Sequence, residues 1–248
     1  MLLRQLLLVP LLMEWVLLVT LVTPSVMVGR VWIRRKPRLA LAIWFGSFLS
    51  AGLAALASIL VAAFVAFGFW LAMNEQDLGS TNWLIALGIS FLPWIFVAFG
   101  GIALALMNNQ LAPQIASARE TSESLNRGLT VTGSFAGYPV AIVELPIKLA
   151  FTLKLKGRQT IVIGRGVLSS LSMAQVEAVQ WHEIGHIKGH HNRLKRIAAF
   201  AHSVAPFVGA SVLLGQQVEL LCELEADNFA LRHASIDDLR AAKQVFRF

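Results

Sequence analysis

The sequence is poor in cysteine, tyrosine and charge. Its single cysteine, Cys222, excludes an intrachain disulfide and leaves the redox compartment open. That side chain reads as a small buried apolar group. Charged residues make up only 14% of the chain, where an ordinary soluble domain carries about 25%. Apolar residues reach 56%, with a mean hydropathy of +0.67. These values exclude an ordinary soluble domain and predict a mainly α, multi-pass membrane protein. The net charge of +7 comes without any interleaving of aromatic and basic residues, so no nucleic-acid partner is expected. Its basic residues lie beside apolar spans and in the later part of the chain, where they set topology and meet anionic lipid. Histidine is absent before position 182.

Three N-terminal transmembrane helices are expected within residues 1–107. The first covers 2–23, apolar apart from Arg4, Gln5 and Glu14. Glu14 interrupts its core and no A-x-A-like site follows, so it reads as an uncleaved span ending near Pro24 rather than a signal peptide. Arg30, Arg34, Arg35, Lys36 and Arg38 then form a strongly basic loop, which the positive-inside rule places in the cytoplasm. The second span covers 39–73, which holds no charged residue and is rich in Gly, Ala and Ser for close helix packing. Residues 74–82 carry Glu75 and Asp77 and read as an external turn. The third span covers 83–107, with Pro93 and Gly100-Gly101 as kink sites. Three crossings from an external N-terminus return the chain to the cytoplasm at Asn108. Glu14 is the only charge inside the spans, which disfavours a transporter.

Beyond a linker or surface helix at 108–136 the pattern changes. Val140–Val143, Ala150–Leu155 and Thr160–Ile163 are short β-prone runs, with Lys156-Gly157-Arg158 as a hairpin signal between the last two. Ser172 and Gln175 form a capping box that opens a helix over Met173–Lys188. That helix carries His182-Glu183-Ile184-Gly185-His186. Histidines four apart share one helix face. They can grip one zinc ion while Glu183 reaches a water as general base.

A hydrolytic zinc takes three protein ligands and leaves a position for water. His190 and His191 are near in sequence, but a helix that continued past His186 would raise them by about 6 Å, beyond direct ligation without a sharp bend. They read as solvated polar-face residues. A downstream helix offers Glu223 as ligand and, one turn on, Asp227 to hold the second ring nitrogen of a ligating histidine. Glu219 and Glu225 remain as alternatives. Glu225 ranks lower because it points about 160° from Asp227 on the helix, at ~100° per residue. The apolar segment 197–215, broken by His202, Pro206 and Gly209, must let the chain return if Glu223 is to meet His182. It is a membrane crossing, a membrane-dipping element, a bent hairpin or buried core. Ser235 caps a short basic amphipathic helix in the tail, 234–248, expected on the domain or membrane surface.

From Tyr138 to His233 the chain resembles the membrane-embedded gluzincin peptidases. These include the HtpX heat-shock proteases, the CAAX prenyl proteases and the peptidase half of the β-lactam sensor-transducers. The resemblance rests on Ala150-Phe151, Ile161–Leu168, Leu171-Ser172, Glu177–Val179, the HEIGH pentapeptide and Glu223-x-x-Ala226-Asp227. Arg35–Trp44 looks most like the short actinobacterial members of the sensor-transducer branch. Two departures stand out: no penicillin-binding sensor domain precedes Phe248, and the segment between the two site helices is too short for the paired membrane helices of the heat-shock branch.

The resemblance implies an α+β zincin-like peptidase domain over 137–233, with a small sheet and the HExxH helix. It implies one Zn2+ held by His182, His186 and Glu223, with Glu183 as base and Asp227 behind the ligands. Arg232 and His233 are candidates for stabilising the transition state. The expected protein is a zinc endopeptidase of the cell membrane, cleaving a protein or peptide substrate on the cytoplasmic side, in signalling or membrane-protein quality control. The competing expectation is a non-catalytic membrane transducer or scaffold with a structural zinc site. A retained Glu183 argues against that alternative, since a structural site needs no base. The residues carry no signal for an oligomeric state.

Overall fold

The computed structural model describes residues 7–75, 129–206 and 208–246. The third expected span at 83–107, and residues 108–128 of the linker, lie outside the described residues. Contacts divide the chain into two units.

The first unit holds helix α1 (Leu8–Met27) and most of α3 (Pro37–Glu75), with the short α2 (Val31–Arg35) between them in the chain. α1 continues past the expected end at residue 23: Pro24 sits in its last turn, and the Pro24 carbonyl accepts from the N–H of Val28 at 2.9 Å. On α3, Ala51, Ala54, Ser58, Ala62 and Val65 are buried at spacings of three and four. Leu49, Leu53, Leu60 and Phe64 on α3, and Leu11, Leu18 and Leu21 on α1, are more than half exposed. Between Ala51 and Val65 mostly small side chains are thus buried while large apolar ones are exposed, the reverse of a helix in water. Two helical stretches among the described residues, Leu8–Met27 and Pro37–Val65, are long and apolar enough to cross a membrane.

The second unit is built on a four-stranded sheet. Its strands are β1 (Val131–Phe135), β2 (Tyr138–Val143), β3 (Ala150–Leu155) and β4 (Arg158–Gly164), in the order β1-β2-β4-β3. β2 and β4 are parallel, and the other two pairs are antiparallel. Lys156 and Gly157 both have positive φ, 47° and 84°. They form a two-residue hairpin loop whose twist suits the flanking strands, so Arg158 belongs to β4 rather than to the turn. Ala136 and Gly137 repeat that geometry between β1 and β2. β1 thus occupies residues that the sequence reading leaves in the linker.

One face of the sheet, through Val140, Ile161 and Ile163, packs with Val167, Val176 and Ile184. Val167 comes from α4 (Arg165–Ser170), and the other two from α5 (Met173–Lys188). The opposite face buries Ala141 and Val162 with Leu129 and Leu155. The expected capping box is present: Ser172 Oγ accepts from the Gln175 N–H, and Gln175 Oε1 accepts from the Ser172 N–H. α8 (Ile236–Val245), capped by Ser235, buries Leu239 with Ala178 of α5.

The difficult segment 197–215 takes the bent-hairpin alternative. α6 (His191–Val204) and α7 (Gly209–Ala230) are separate helices, with Ala205 and Pro206 following the first and Val208 preceding the second. Ser211 Oγ secures the turn, 2.6 Å from the Ala205 carbonyl oxygen and 2.8 Å from that of Val208. Toward the open end of the hairpin, Lys195 of α6 lies 3.8 Å from Glu219 and 3.2 Å from Glu223 of α7.

Candidate metal centre

The sheet-facing side of α5 fixes its rotation through Val176 and Ile184, and this turns His182 and His186 toward α7. Their Nε2 atoms stand 3.1 Å apart. α7 approaches closely because residue 185 is glycine: a Cβ there would lie 2.8 Å from the Cα of Ala226. That approach brings in Glu223, with one carboxylate oxygen 3.4 Å from His182 Nε2 and the other 3.6 Å from His186 Nε2.

His182, His186 and Glu223 are the one group among the described residues whose His, Cys, Asp and Glu donors converge as a metal site would need. Tetrahedral zinc with bonds of about 2.0–2.1 Å separates its ligand atoms by roughly 3.3 Å. The observed separations bracket that value. Each Nδ1 faces a group behind its ring, so Nε2 is the atom that each ring turns toward the common point. The donor set fits a zinc ion.

Each imidazole is held from behind. His182 Nδ1 lies 2.9 Å from Asp227 Oδ1, an ion-pair separation, and neither buried atom makes a well-aligned hydrogen bond among the described residues. Lys243 of α8 takes the other Asp227 oxygen at 2.6 Å. Burial works against a charged His182, but Asp227 and Glu223 outweigh it and push its pKa up to about 9. Burial also opposes ionisation of Glu223 and Asp227, and the hydrogen bonds from the histidines, with Lys243 in the case of Asp227, hold both below the usual carboxylate range. Glu183, 7% exposed, is pushed the other way: burial raises it to about 7 against the pull of His182.

His191 departs from its expected place on a solvated face. α5 ends at Lys188, and His190 takes a left-handed φ of 53°, so the helix does not continue as the sequence reading supposes. The bend sends His190 outward and buries His191 completely. His191 Nδ1 lies 2.8 Å from His186 Nδ1, and its Nε2 lies 3.3 Å from Glu225 Oε2. Glu225, an alternative ligand in the sequence reading, faces His191, and its other oxygen accepts from Arg38.

A cavity of about 520 Å³ opens over the three donors. Ala150, Phe151 and Thr152 of β3 line it, with Glu183, Asn192 and Lys195 beside the donors and Leu239, Ala242, Lys243 and Phe246 at the C-terminal end. α8 is therefore a wall of the cavity, where the sequence reading expects a surface helix. Arg232 and His233, the candidate transition-state groups, do not line it. His233 stacks on Trp181 with ring centres 3.9 Å apart, and Arg232 is exposed. Lys195 and Lys243, which do line it, went unnoticed because a lysine on an amphipathic helix reads the same at a wall as at a solvated face. Cys222 is buried and its thiol is raised to about 12, chiefly by burial, so it is inert beside the site.

No curated protein matches the chain. A family model described as Peptidase family M48 matches residues 123–246, half of the sequence, and spans every group just described except Arg38. Peptidases of that family are zinc metallopeptidases. The chain belongs to peptidase family M48.

Proposed function

We propose that the protein is a membrane-bound zinc endopeptidase that cleaves a protein or peptide substrate beside the bilayer. The observation that carries the reading is the convergence of His182 Nε2, His186 Nε2 and a Glu223 oxygen, with buried Glu183 in the same cavity. His182, His186 and Glu223 would hold the ion. A bound zinc ion would supply Lewis-acid chemistry and make water a nucleophile near neutral pH. Glu183 removes the proton from the attacking water and delivers it to the departing amine.

The substrate is held as an extended strand. β3 is an edge strand among the described residues, and its first half lines the cavity. An added strand on that edge gains main-chain hydrogen bonds and passes over the three donors. The outward-facing leucines of α1 and α3 support anchoring in a bilayer, and the basic segment Arg30–Arg38 supports a cytoplasmic site. Signalling or membrane-protein quality control are the roles that suit such a protease. The short actinobacterial sensor-transducer branch stays the reading of the Arg35–Trp44 stretch.

The test uses the full chain in detergent, with casein as a probe substrate. One zinc per chain, cleavage abolished by a chelator and restored by zinc, and an inert Glu183→Gln variant that keeps its zinc are the expected results. Cleavage by Glu183→Gln at the unaltered rate would remove Glu183 as base. Absence of bound zinc would remove the metallopeptidase reading altogether.

A further inference from the structure

We propose that Arg38 and Glu225 are positioning residues of the metal site, acting through His191 to fix the orientation and proton placement of His186. The inference rests on the zinc reading above and extends it to a residue far upstream of the motif.

The geometry allows one arrangement of protons. If His186 Nε2 offers its lone pair to the metal, the ring proton is on Nδ1. That proton faces His191 Nδ1 at 2.8 Å, so His191 must accept there. The His191 proton is then on Nε2, 3.3 Å from Glu225 Oε2, which accepts it. Reversing either ring would set two N–H groups or two lone pairs against each other. His182 has a carboxylate directly behind it, whereas His186 has only a neutral imidazole. A neutral imidazole is the weaker acceptor, and Glu225 strengthens it by drawing on its far N–H.

Glu225 is itself buried, and a buried carboxylate needs a counter-charge. Arg38, in the first turn of α3, provides it by pairing with Oε1. The two chains are therefore parallel in design. His182 leads to Asp227 and Lys243; His186 leads to His191, Glu225 and Arg38. Gly189 makes room for the second chain. A Cβ there would lie 2.1 Å from His191 Nε2 and 2.5 Å from Cδ2, so the ring occupies the volume a side chain would fill.

The experiment measures metal binding rather than catalysis. Zinc affinity, by competition with a chelating dye, and the visible spectrum of the Co2+-substituted full chain are recorded in detergent. Glu225→Gln, Arg38→Met, Arg38→Lys and the surface control Arg158→Met, an exposed residue at the start of β4, are compared. Groups behind a ligating histidine typically tune affinity by roughly 10–100-fold, and Glu225→Gln is expected in that range. Arg38→Met falls in the same direction by less, Arg38→Lys recovers most of it, and Arg158→Met has no effect. The cobalt bands shift in Glu225→Gln because the imidazole is no longer held.

A purely structural role would lower the melting temperature while the folded protein kept its zinc affinity and cobalt spectrum; that result overturns the proposal. Should Glu225→Gln fail to fold, the Arg38 pair decides, since the Arg38 side chain is 65% exposed and open to replacement. Arg38→Met binding zinc as tightly as the unaltered protein would then refute the chain. Failure of the unaltered protein to bind zinc would instead defeat the metallopeptidase reading, and this inference with it.

Discussion

Gly185 of α5 lies so close to Ala226 of α7 that a Cβ on the glycine would stand 2.8 Å from the alanine Cα. The contact falls three residues past His182, one before His186, and three after Glu223, so it sets how far Glu223 stands from the two histidines. Gly185→Ala gains helix propensity of up to about 1 kcal/mol but overpacks a closed contact at a cost of about 1–3 kcal/mol. The expected net result is a lower melting temperature in detergent and less than one zinc per chain, with Gly185→Val worse on both. Full zinc occupancy in the valine variant would show that the two helices are not held apart by this contact.

Asp227 holds His182 by charge as well as by shape. Asp227→Asn keeps an oxygen for the Nδ1–H but removes the negative charge, and zinc affinity is expected to fall by roughly 10–100-fold. Lys243→Met, which leaves the Asp227–His182 contact in place, should weaken it less. Dye competition measures both, and a larger loss from the lysine than from the aspartate would contradict this order of dependence.

Proton binding and metal binding compete at His182. In metal-free protein prepared by chelation its pKa stands at about 9, above the ordinary ~6.5. With the folded value raised, the stability contributed by the charged ring is complete below ~6.5 and lost as pH rises through about 9. Glu183, raised from 4.5 to about 7, acts in the same direction but at lower pH, its contribution being lost as pH rises through about 7. The melting temperature of the metal-free protein should therefore fall over that window. Zinc affinity should rise across it, because less proton has to be displaced. Calorimetry in two buffers of different ionisation enthalpy would detect the released proton, and its absence would show that His182 is already neutral.

The β3 edge can be tested without touching the three donors or Glu183. The Lys156-Gly157 loop makes Leu155 and Arg158 a hydrogen-bonded pair, and alternation then turns the main-chain groups of Leu153 and Phe151 toward β4 and those of Thr152 and Ala150 outward. Thr152→Pro thus removes an outward N–H and no bond of the sheet. Cleavage of a polypeptide should fall about tenfold or more in kcat/KM, on the order of one charge-free hydrogen bond plus misalignment, while zinc content stays unchanged. Normal kcat/KM in this variant would mean that substrate does not pair with β3.

Much of the centre was legible because its signals are local. His182, Glu183 and His186 are read from helical spacing, Ser172 and Gln175 from a capping box, and Glu223 with Asp227 from one turn of a second helix. β1 was not, because Thr132-Gly133-Ser134 shows no apolar alternation and most of the strand is exposed. His191 was misplaced for a different reason. The break depends on a left-handed φ at His190, a residue that carries no breaker signal, and only the burial of the following ring reveals what the bend achieves. The role of Arg38 is a matter of tertiary contact alone: nothing in a run of basic residues marks which one turns back to a buried carboxylate. The M48 match likewise establishes the family and no branch within it.

The hairpin of α6 and α7 divides the custody of the ion unequally. Two donors belong to one helix and keep their spacing through any motion that leaves α5 intact, whereas the third is present only while α7 is folded back. With the proposed ligand set, metal release would be paced by the opening of the hairpin rather than by the rupture of three equal bonds. A zinc off-rate would then be a clock for the movement of α7.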